Sequence, residues 1–263
     1  MLNYIFEEKH KMRSKRELLN ILADNLDQHE FIKEIENKMN GEESFYILFS
    51  NVDVIIKAEN NQYLRKIINE AEFSLIDGMP LIWISKLYGK PFKQKLSGSD
   101  MVPKICRLSE QKGWKIFLLG GKTGVAQKAA YNLQKIYPKL KIVGTYSPPI
   151  GFDENKDEII HINQMIYKSG ADIVVVCFGC PKQEIFVYKN YKKYGAKMSI
   201  CAGATIDFIA GQVRRCPKWI SRMGFEWFFR FLMEPRRMFK RYFVDDMKIF
   251  GMIWKYRFQM NHK

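Results

Sequence analysis

Short, nearly continuous apolar runs alternate along the chain with longer segments in which apolar residues recur at helical spacing. The runs predict strands at 18–24, 45–49, 73–76, 115–119, 141–145, 172–178 and 198–202. The helical spacing predicts helices at 28–39, 52–69, 80–88, 101–112, 125–137, 154–169 and 182–194. Strands that alternate with helices indicate βαβ units, and strands without polar alternation indicate helices on both faces. The predicted fold class is therefore α/β, a Rossmann-like, mostly parallel sheet with helices on both faces.

The alternation stops after Gly211 and divides the chain. We predict a charged tail over residues 1–17, an α/β domain over 18–211 and a helical appendage over 212–263, which breaks at Glu234-Pro235. The tail lacks the apolar stretch of a secretory signal, and no apolar run approaches the roughly 18 residues that cross a bilayer. The sequence therefore predicts a cytoplasmic protein.

The net charge of +15 is concentrated in the appendage. Residues 212–263 contain thirteen Lys and Arg against four Asp and Glu, a balance of +9, together with thirteen aromatic residues. Such a segment indicates an anionic partner, either a phospholipid surface, a phosphorylated ligand or nucleic acid. Because no nucleic-acid recognition motif accompanies it, we favour the first two. The plain alternative is an amphipathic docking helix with a solvated basic face.

Polar residues and glycines follow most of the predicted strands. In open parallel sheets, ligands bind beyond the carboxyl ends of the strands, so these positions form the candidate site. They are Asn51, Asp77, Gly120-Gly121, Gly179 with Lys182-Gln183-Glu184, and Gly203-Ala204 with Asp207.

Three of these clusters allow two interpretations each. Asp77 is either an acid at a helix start, stabilised by the helix dipole, or a general base. Gly120-Gly121 is either a tight turn or a place where amides approach a nucleotide phosphate, although neither Walker A spacing nor G-x-G-x-x-G occurs. Glu184 is either an ordinary first-turn charge or a partner of a ribose hydroxyl, with Gln183 beside it on a sugar or uracil.

The sequence lacks the residues that several kinds of catalytic chemistry require. The four histidines have no triad-like context, and no G-x-S-x-G, H-E-x-x-H or D-x-D pattern occurs. Five cysteines are an odd number for a disulfide framework, and Cys177-Phe178-Gly179-Cys180 has no second ligand pair for zinc. We therefore predict no metal and no cofactor. A diphosphate leaving group, which D-x-D enzymes neutralise with a metal, would here need protein cations or helix dipoles.

An ordered series of motifs resembles the WecG/TagA/CpsF glycosyltransferases, glycosyltransferase family 26. Each motif alone is weak evidence, but the ordered set, which covers roughly residues 18–243, is specific. The motifs are Asn51-Val52-Asp53, Asp77-Gly78-Met79-Pro80, Ser97-Gly98-Ser99-Asp100, Phe117-Leu118-Leu119-Gly120-Gly121, Gly179-Cys180-Pro181-Lys182-Gln183-Glu184, residues 203–211, Pro217-Lys218-Trp219, Gly224-Phe225-Glu226-Trp227 and Glu234-Pro235-Arg236-Arg237.

The resemblance implies inverting, metal-independent transfer of a sugar from UDP to an N-acetylglucosamine on a polyprenyl diphosphate, for teichoic acid or another surface polysaccharide. We expect N-acetylmannosamine, with its uronate, glucose and galactose as alternatives. The implied partners are the UDP-sugar, the lipid acceptor and the anionic cytoplasmic face of the cell membrane, without nucleic acid, and a homo-oligomer is left open. A non-catalytic nucleotide-binding module that docks on membranes is the alternative from another class.

The resemblance also assigns residues. Asp77 matches the proposed base, and Asn51 and Gln183 match polar residues of the active site. The tail arginines Arg230 and Arg237 match residues thought to close over the site and engage the diphosphate, with Lys240 or Arg241 as a third. The remaining expected substrate-binding residues are Gly120, Gly121, Gly179, Lys182 and Glu184. The sequence departs from the family where Phe49 and Cys180 replace a common threonine and alanine.

Overall fold

The computed structural model describes residues 15–217, 220 and 224–261, with the backbone alone at 237 and 258–261. The strands are β1 (Lys15–Leu18), β2 (Ile21–Asp24), β3 (Phe45–Ser50), β4 (Phe73–Ile76), β5 (Lys115–Gly120), β6 (Lys141–Tyr146), β7 (Ile173–Cys177) and β8 (Met198–Cys201). The helices of the α/β domain are α1 (Gln28–Met39), α2 (Val52–Asn60), α3 (Gln62–Glu70), α4 (Met79–Leu87), α5 (Gly98–Lys112), α6 (Val125–Ile136), a 3-10 turn (Phe152–Glu154), α7 (Lys156–Ser169), α8 (Lys182–Asn190) and α9 (Thr205–Ile209). The appendage contains α10 (Glu226–Met233), α11 (Pro235–Lys240), a π-helical turn (Arg241–Asp245) and α12 (Lys248–Asn261).

Six strands form a parallel sheet in the order β4-β3-β8-β7-β5-β6. Every residue of β3, β4, β7 and β8 is buried, which explains why their sequences lack polar alternation. Along β3, Tyr46 and Leu48 belong to one hydrophobic cluster, while Ile47 and Phe49 belong to another. Helices therefore cover both faces of the sheet, and the predicted fold class is confirmed.

The N-terminal part differs from the prediction. The strand expected at 18–24 is a hairpin in which β1 and β2 pair antiparallel around Leu19, whose φ is +55°. Residues 15–17, which we assigned to the charged tail, belong to β1, and residues 1–14 lie outside the described part. The Asp24 carboxylate accepts a hydrogen bond from Ser74 N at 2.8 Å, which fixes the hairpin to β4.

Two helix boundaries also differ. The helix expected at 52–69 is two helices, because the Asn61 side chain accepts a hydrogen bond from Leu64 N and caps α3. Helix α5 begins at Gly98, three residues before the predicted start, because Ser97 is its N-cap. In both cases a short polar side chain satisfies an N–H group that the helix itself leaves without a partner.

The appendage packs on the carboxyl side of the sheet with a small apolar interface. Met238, Ile249 and Met252 are buried, whereas many of its other apolar side chains are exposed. Glu234 separates α10 from α11, so the predicted break is confirmed. Among the described helices, none combines the length and the apolar character needed to cross a membrane.

Candidate active site

A cavity of about 620 Å³ lies beyond the carboxyl ends of β3, β4, β7 and β8. Asn51, Asp77 and Gly179 line it from the loops that follow three of these strands, and Arg230 and Arg241 line it from the appendage. This size is typical of sites for small organic ligands. The α/β domain and the appendage therefore form one candidate site together.

Asp77 follows β4 directly, and its backbone N–H donates to Ser50 O at 2.8 Å. The N-cap of α4 is Gly78, with φ +124°, and no side chain caps this helix. The Asp77 carboxylate therefore lines the cavity without capping α4. Among the residues that the structure describes, none donates a hydrogen bond to this carboxylate, so its oxygens can accept one from a ligand.

The electrostatic surroundings favour the protonated form of Asp77. Burial raises its pKa to about 7 and is the largest cause of the change. The carboxylates of Glu226 and Asp100 raise the pKa further, while the cations of Lys95 and Arg230 lower it. A carboxyl group with a pKa near neutrality can exchange a proton with a substrate at cellular pH.

Lys95 is a cation of the site that our sequence analysis missed. Its Nζ lies 3.0 Å from Glu226 Oε2 and 3.8 Å from Asp100 Oδ2, and its side chain is 13% exposed. Because Glu226 begins α10, this ion pair joins the α/β domain to the appendage. Asp100 and Glu226 occur in the recognised motifs, but no local pattern pairs Lys95 with a residue 131 positions away.

Two arginines of the appendage reach the cavity. The guanidinium carbon of Arg230 lies 5.5 Å from the centroid of the Phe208 ring. Arg241 Nη2 lies 3.5 Å from Asn51 Oδ1, and its Nε lies 3.8 Å from Asp246 Oδ2. Both Nε atoms are buried without a hydrogen-bond partner among the described residues. Because both side chains line the cavity, their guanidinium groups suit an anionic ligand such as a phosphate.

Two predicted polar residues line the cavity while their side chains bind the protein itself. Asn51 Oδ1 accepts a hydrogen bond from Val54 N at 3.2 Å and caps α2. Gln183 Nε2 donates to Glu184 Oε1 at 2.8 Å, and Gln183 Oε1 accepts from Gly203 N at 3.0 Å. Glu184 is 3% exposed behind this wall, where burial raises its pKa. These contacts stiffen the cavity and fix the direction of both amides.

Gly120 and Gly121 lie at the end of β5 but outside the cavity wall. The close packing around these two positions is enough to explain why both are glycine. A Cβ on Gly120 would lie 2.3 Å from Cys177 O, and a Cβ on Gly121 would lie 3.0 Å from the Val125 side chain.

Burial raises the pKa of the Cys177 thiol to about 12, which disfavours the reactive thiolate.

Two of the remaining predicted cations, Lys182 and Lys240, are not part of the described cavity wall. Lys182 Nζ pairs with Asp153 Oδ1 at 2.7 Å, and Lys240 is exposed on α11. Arg237 belongs to α11, but its side chain lies outside the described part of the structure. Among the predicted cations whose side chains are described, Arg230 and Arg241 are the ones that line the candidate site.

Most of this chain is similar in sequence to known proteins. The model of the family described as "Glycosyl transferase WecG/TagA/CpsF family" matches residues 16–263. A similar protein of Bacillus spizizenii (strain ATCC 23059 / NRRL B-14472 / W23) is 28% identical over 192 residues, which cover 73% of this chain and 72% of that protein. Another, from Bacillus subtilis (strain 168), is 27% identical over 187 residues, 71% of each chain. Both are named N-acetylglucosaminyldiphosphoundecaprenol N-acetyl-beta-D-mannosaminyltransferase.

Proposed function

Since this chain belongs to the WecG/TagA/CpsF family of glycosyl transferases, we propose that it moves N-acetylmannosamine from UDP to an N-acetylglucosamine on a polyprenyl diphosphate. The names of the two Bacillus relatives support this sugar and this class of acceptor. The observation that carries the proposal is the Asp77 carboxylate. It faces a cavity of suitable size, its pKa is near 7, and two arginines of the appendage line the same cavity.

In the proposed reaction Asp77 is the general base. The acceptor hydroxyl oxygen forms a bond to the anomeric carbon while its proton passes to the Asp77 carboxylate. The bond from the anomeric carbon to the diphosphate oxygen breaks, and its electron pair leaves with UDP. Attack from the face opposite UDP inverts the configuration of the sugar. A base with a pKa near the working pH is the most effective kind, and burial gives Asp77 that property.

The negative charge that develops on UDP requires stabilisation in the transition state. Arg230 and Arg241 line the cavity, and guanidinium groups bind phosphate oxygens in a fixed fork. Within the described residues, no group of three or more His, Cys, Asp or Glu side chains could hold a metal ion. Because both arginines line the cavity, we assign to them the role that a metal has in D-x-D enzymes. Arg237 remains a predicted third cation.

A lipid-linked acceptor requires the enzyme to work beside a membrane. The appendage exposes Phe228, Leu232 and Phe239, and it exposes the cations of Arg236 and Lys240. Exposed aromatic and basic side chains on short helices are typical of proteins that lie on an anionic bilayer surface. We therefore place the enzyme peripherally on the cytoplasmic face of the membrane.

A donor screen tests the reaction. Purified protein would be incubated with a lipid-diphosphate-linked N-acetylglucosamine and, in turn, the UDP derivatives of N-acetylmannosamine, its uronate, glucose and galactose. We expect the highest rate with N-acetylmannosamine and the same rate in EDTA. Loss of activity in EDTA would contradict the metal-independent step. Binding of UDP without transfer from any donor would favour the non-catalytic membrane-docking module.

A further inference from the structure

Helices α4 and α12 both contribute apolar side chains to the cavity wall. Trp83 of α4 and Phe250 of α12 both line the cavity and are 48% and 63% exposed. Ile253 of α12 lines the cavity between them and the interior. Aromatic side chains that line a cavity and are also exposed to solvent offer an apolar surface to a part of a ligand that extends out of the cavity.

The apolar surface continues outward on both helices. Leu87 lies four residues after Trp83 and is 56% exposed, and Trp254 lies four residues after Phe250 and is 69% exposed. Residues at this spacing share one face of a helix. We call Trp83, Leu87, Phe250 and Trp254 the apolar groove.

Hydrogen bonds hold the two helices in this arrangement. Tyr88 OH donates to Ile253 O at 2.8 Å, which places the end of α4 beside the middle of α12. Another face of α12 binds α2, where Lys255 Nζ and Tyr256 OH contact the Glu59 carboxylate at 2.7 and 2.8 Å. These contacts hold α4, α12 and α2 together. Arg257 of α12, which acts electrostatically on Tyr88, adds a cation beside the apolar groove.

We propose that the apolar groove binds the polyprenyl chain of the acceptor as it leaves the cavity. This inference rests on the proposed function, because that function supplies a ligand with a sugar diphosphate at one end and a long hydrocarbon at the other. With the diphosphate near Arg230 and Arg241, the first isoprene units pass between Trp83 and Phe250. A bilayer surface could contact Leu87 and Trp254 but could not reach into the cavity, so continuity with the cavity favours the prenyl chain.

The test compares two acceptors that share the N-acetylglucosamine diphosphate and differ in a long polyprenyl or a short water-soluble chain. Activity would be measured in detergent micelles, where no bilayer is present, with wild type, Leu87→Gln and Trp254→Gln. Both substitutions keep the net charge and lie outside the cavity wall. We expect each to lower the ratio of kcat/KM for the long acceptor over the short one by about tenfold. The matched control is Tyr131→Gln on α6, which is 59% exposed at a distant surface.

Four outcomes decide the inference. A lower ratio in both groove variants but not in the control supports it, and the use of two helices guards against one variant that folds poorly. An unchanged ratio overturns it. An unchanged ratio with weaker binding to vesicles of phosphatidylglycerol and phosphatidylcholine overturns it in favour of a bilayer contact. If wild type transfers sugar to neither acceptor, the proposed function itself fails, and this inference fails with it.

Discussion

The α/β domain and the appendage share one cavity but are built in different ways. In the domain, whole strands such as β3 and β7 are buried between two helical layers. In the appendage, α10 has no buried residue among those described, and burial is limited to positions such as Met238 and Ile249. Few buried apolar contacts mean low local stability, so we expect the appendage to open more readily than the sheet.

The difference separates two tasks in the site. The domain fixes the position of Asp77, because this residue follows a buried strand and its N–H is bound to Ser50 O. The appendage adjusts the charge around it, since Glu226 and Arg230 act on its pKa in opposite directions. The precisely placed carboxyl group therefore lies in the part with the larger core, while the appendage adds charges of both signs around it.

The largest expected effect on kcat concerns Asp77, the carboxyl group that the α/β domain contributes to the site. Asp77→Asn removes the proposed base while keeping the size of the side chain, so kcat should fall by about 10²–10⁴. UDP-sugar binding, measured by calorimetry, should remain close to that of wild type. Asp157→Asn, at an exposed carboxylate in the first turn of α7, is the control. Near-normal turnover by Asp77→Asn would exclude Asp77 as the base.

The next largest effect on kcat concerns Arg230, which the appendage contributes to the site. Arg230→Ala removes a buried guanidinium from the cavity, and kcat should fall by about 10²–10³ because the departing diphosphate loses a charged donor. Arg236→Ala removes an equal charge from the exposed side of α11 and should leave kcat nearly unchanged in detergent. Equal losses in the two variants would mean that overall charge, rather than a directed contact, is what matters.

The sequence predicted the domain better than the appendage for a physical reason. Strands buried on both faces carry an uninterrupted apolar signal, so the six strands of the sheet could be located from sequence alone. The β1–β2 hairpin gave no such signal, because its turn uses Leu19 at positive φ instead of a glycine. The break between α2 and α3 at Asn61 also gave no signal, because the helical spacing of apolar residues continues across it and only the Asn61 side-chain cap marks the start of α3.

The candidate site shows the same limit. Strand ends and motifs led to Asp77, Asn51 and Gln183, which line the cavity, because parallel strands bring their carboxyl ends together. They did not lead to Lys95, whose partner Glu226 is distant in sequence. They also could not separate Arg241, which lines the cavity, from exposed Lys240. That choice depends on how the appendage packs.

A smaller effect is expected where the two parts meet. Gly224 has φ +86°, and a Cβ there would lie 2.9 Å from the Trp83 side chain of α4. Gly224→Ala should weaken docking of the appendage by about 1–2 kcal/mol, which corresponds to about 5–30-fold faster proteolysis within residues 212–263. Gly170→Ala, at a positive φ inside the domain, should lower Tm without this increase in cleavage. Proteolysis that is equally slow in both variants would show that the joint is stronger than its small apolar contact indicates.

The smallest effect is a change of pH dependence. Because the deprotonated form of Asp77 is the proposed base and its pKa is about 7, kcat/KM should decline as the pH falls through neutrality. Glu226 raises this pKa, so Glu226→Gln should move the acid limb of the profile to lower pH. Lys95 lowers it, so Lys95→Met should move the limb to higher pH.

Both displacements should be smaller than the one caused by burial, which is the largest influence on Asp77. Asp100 and Arg230, the other charged groups that act on Asp77, stay in place in both variants and exert opposite effects. Glu154→Gln, an exposed carboxylate remote from the cavity, should leave the profile unchanged. Displacements of opposite sign in Lys95→Met and Glu226→Gln would show that a residue of the appendage and one of the domain jointly set the basicity of Asp77. No displacement in Glu226→Gln would mean that the domain alone determines when its base is charged.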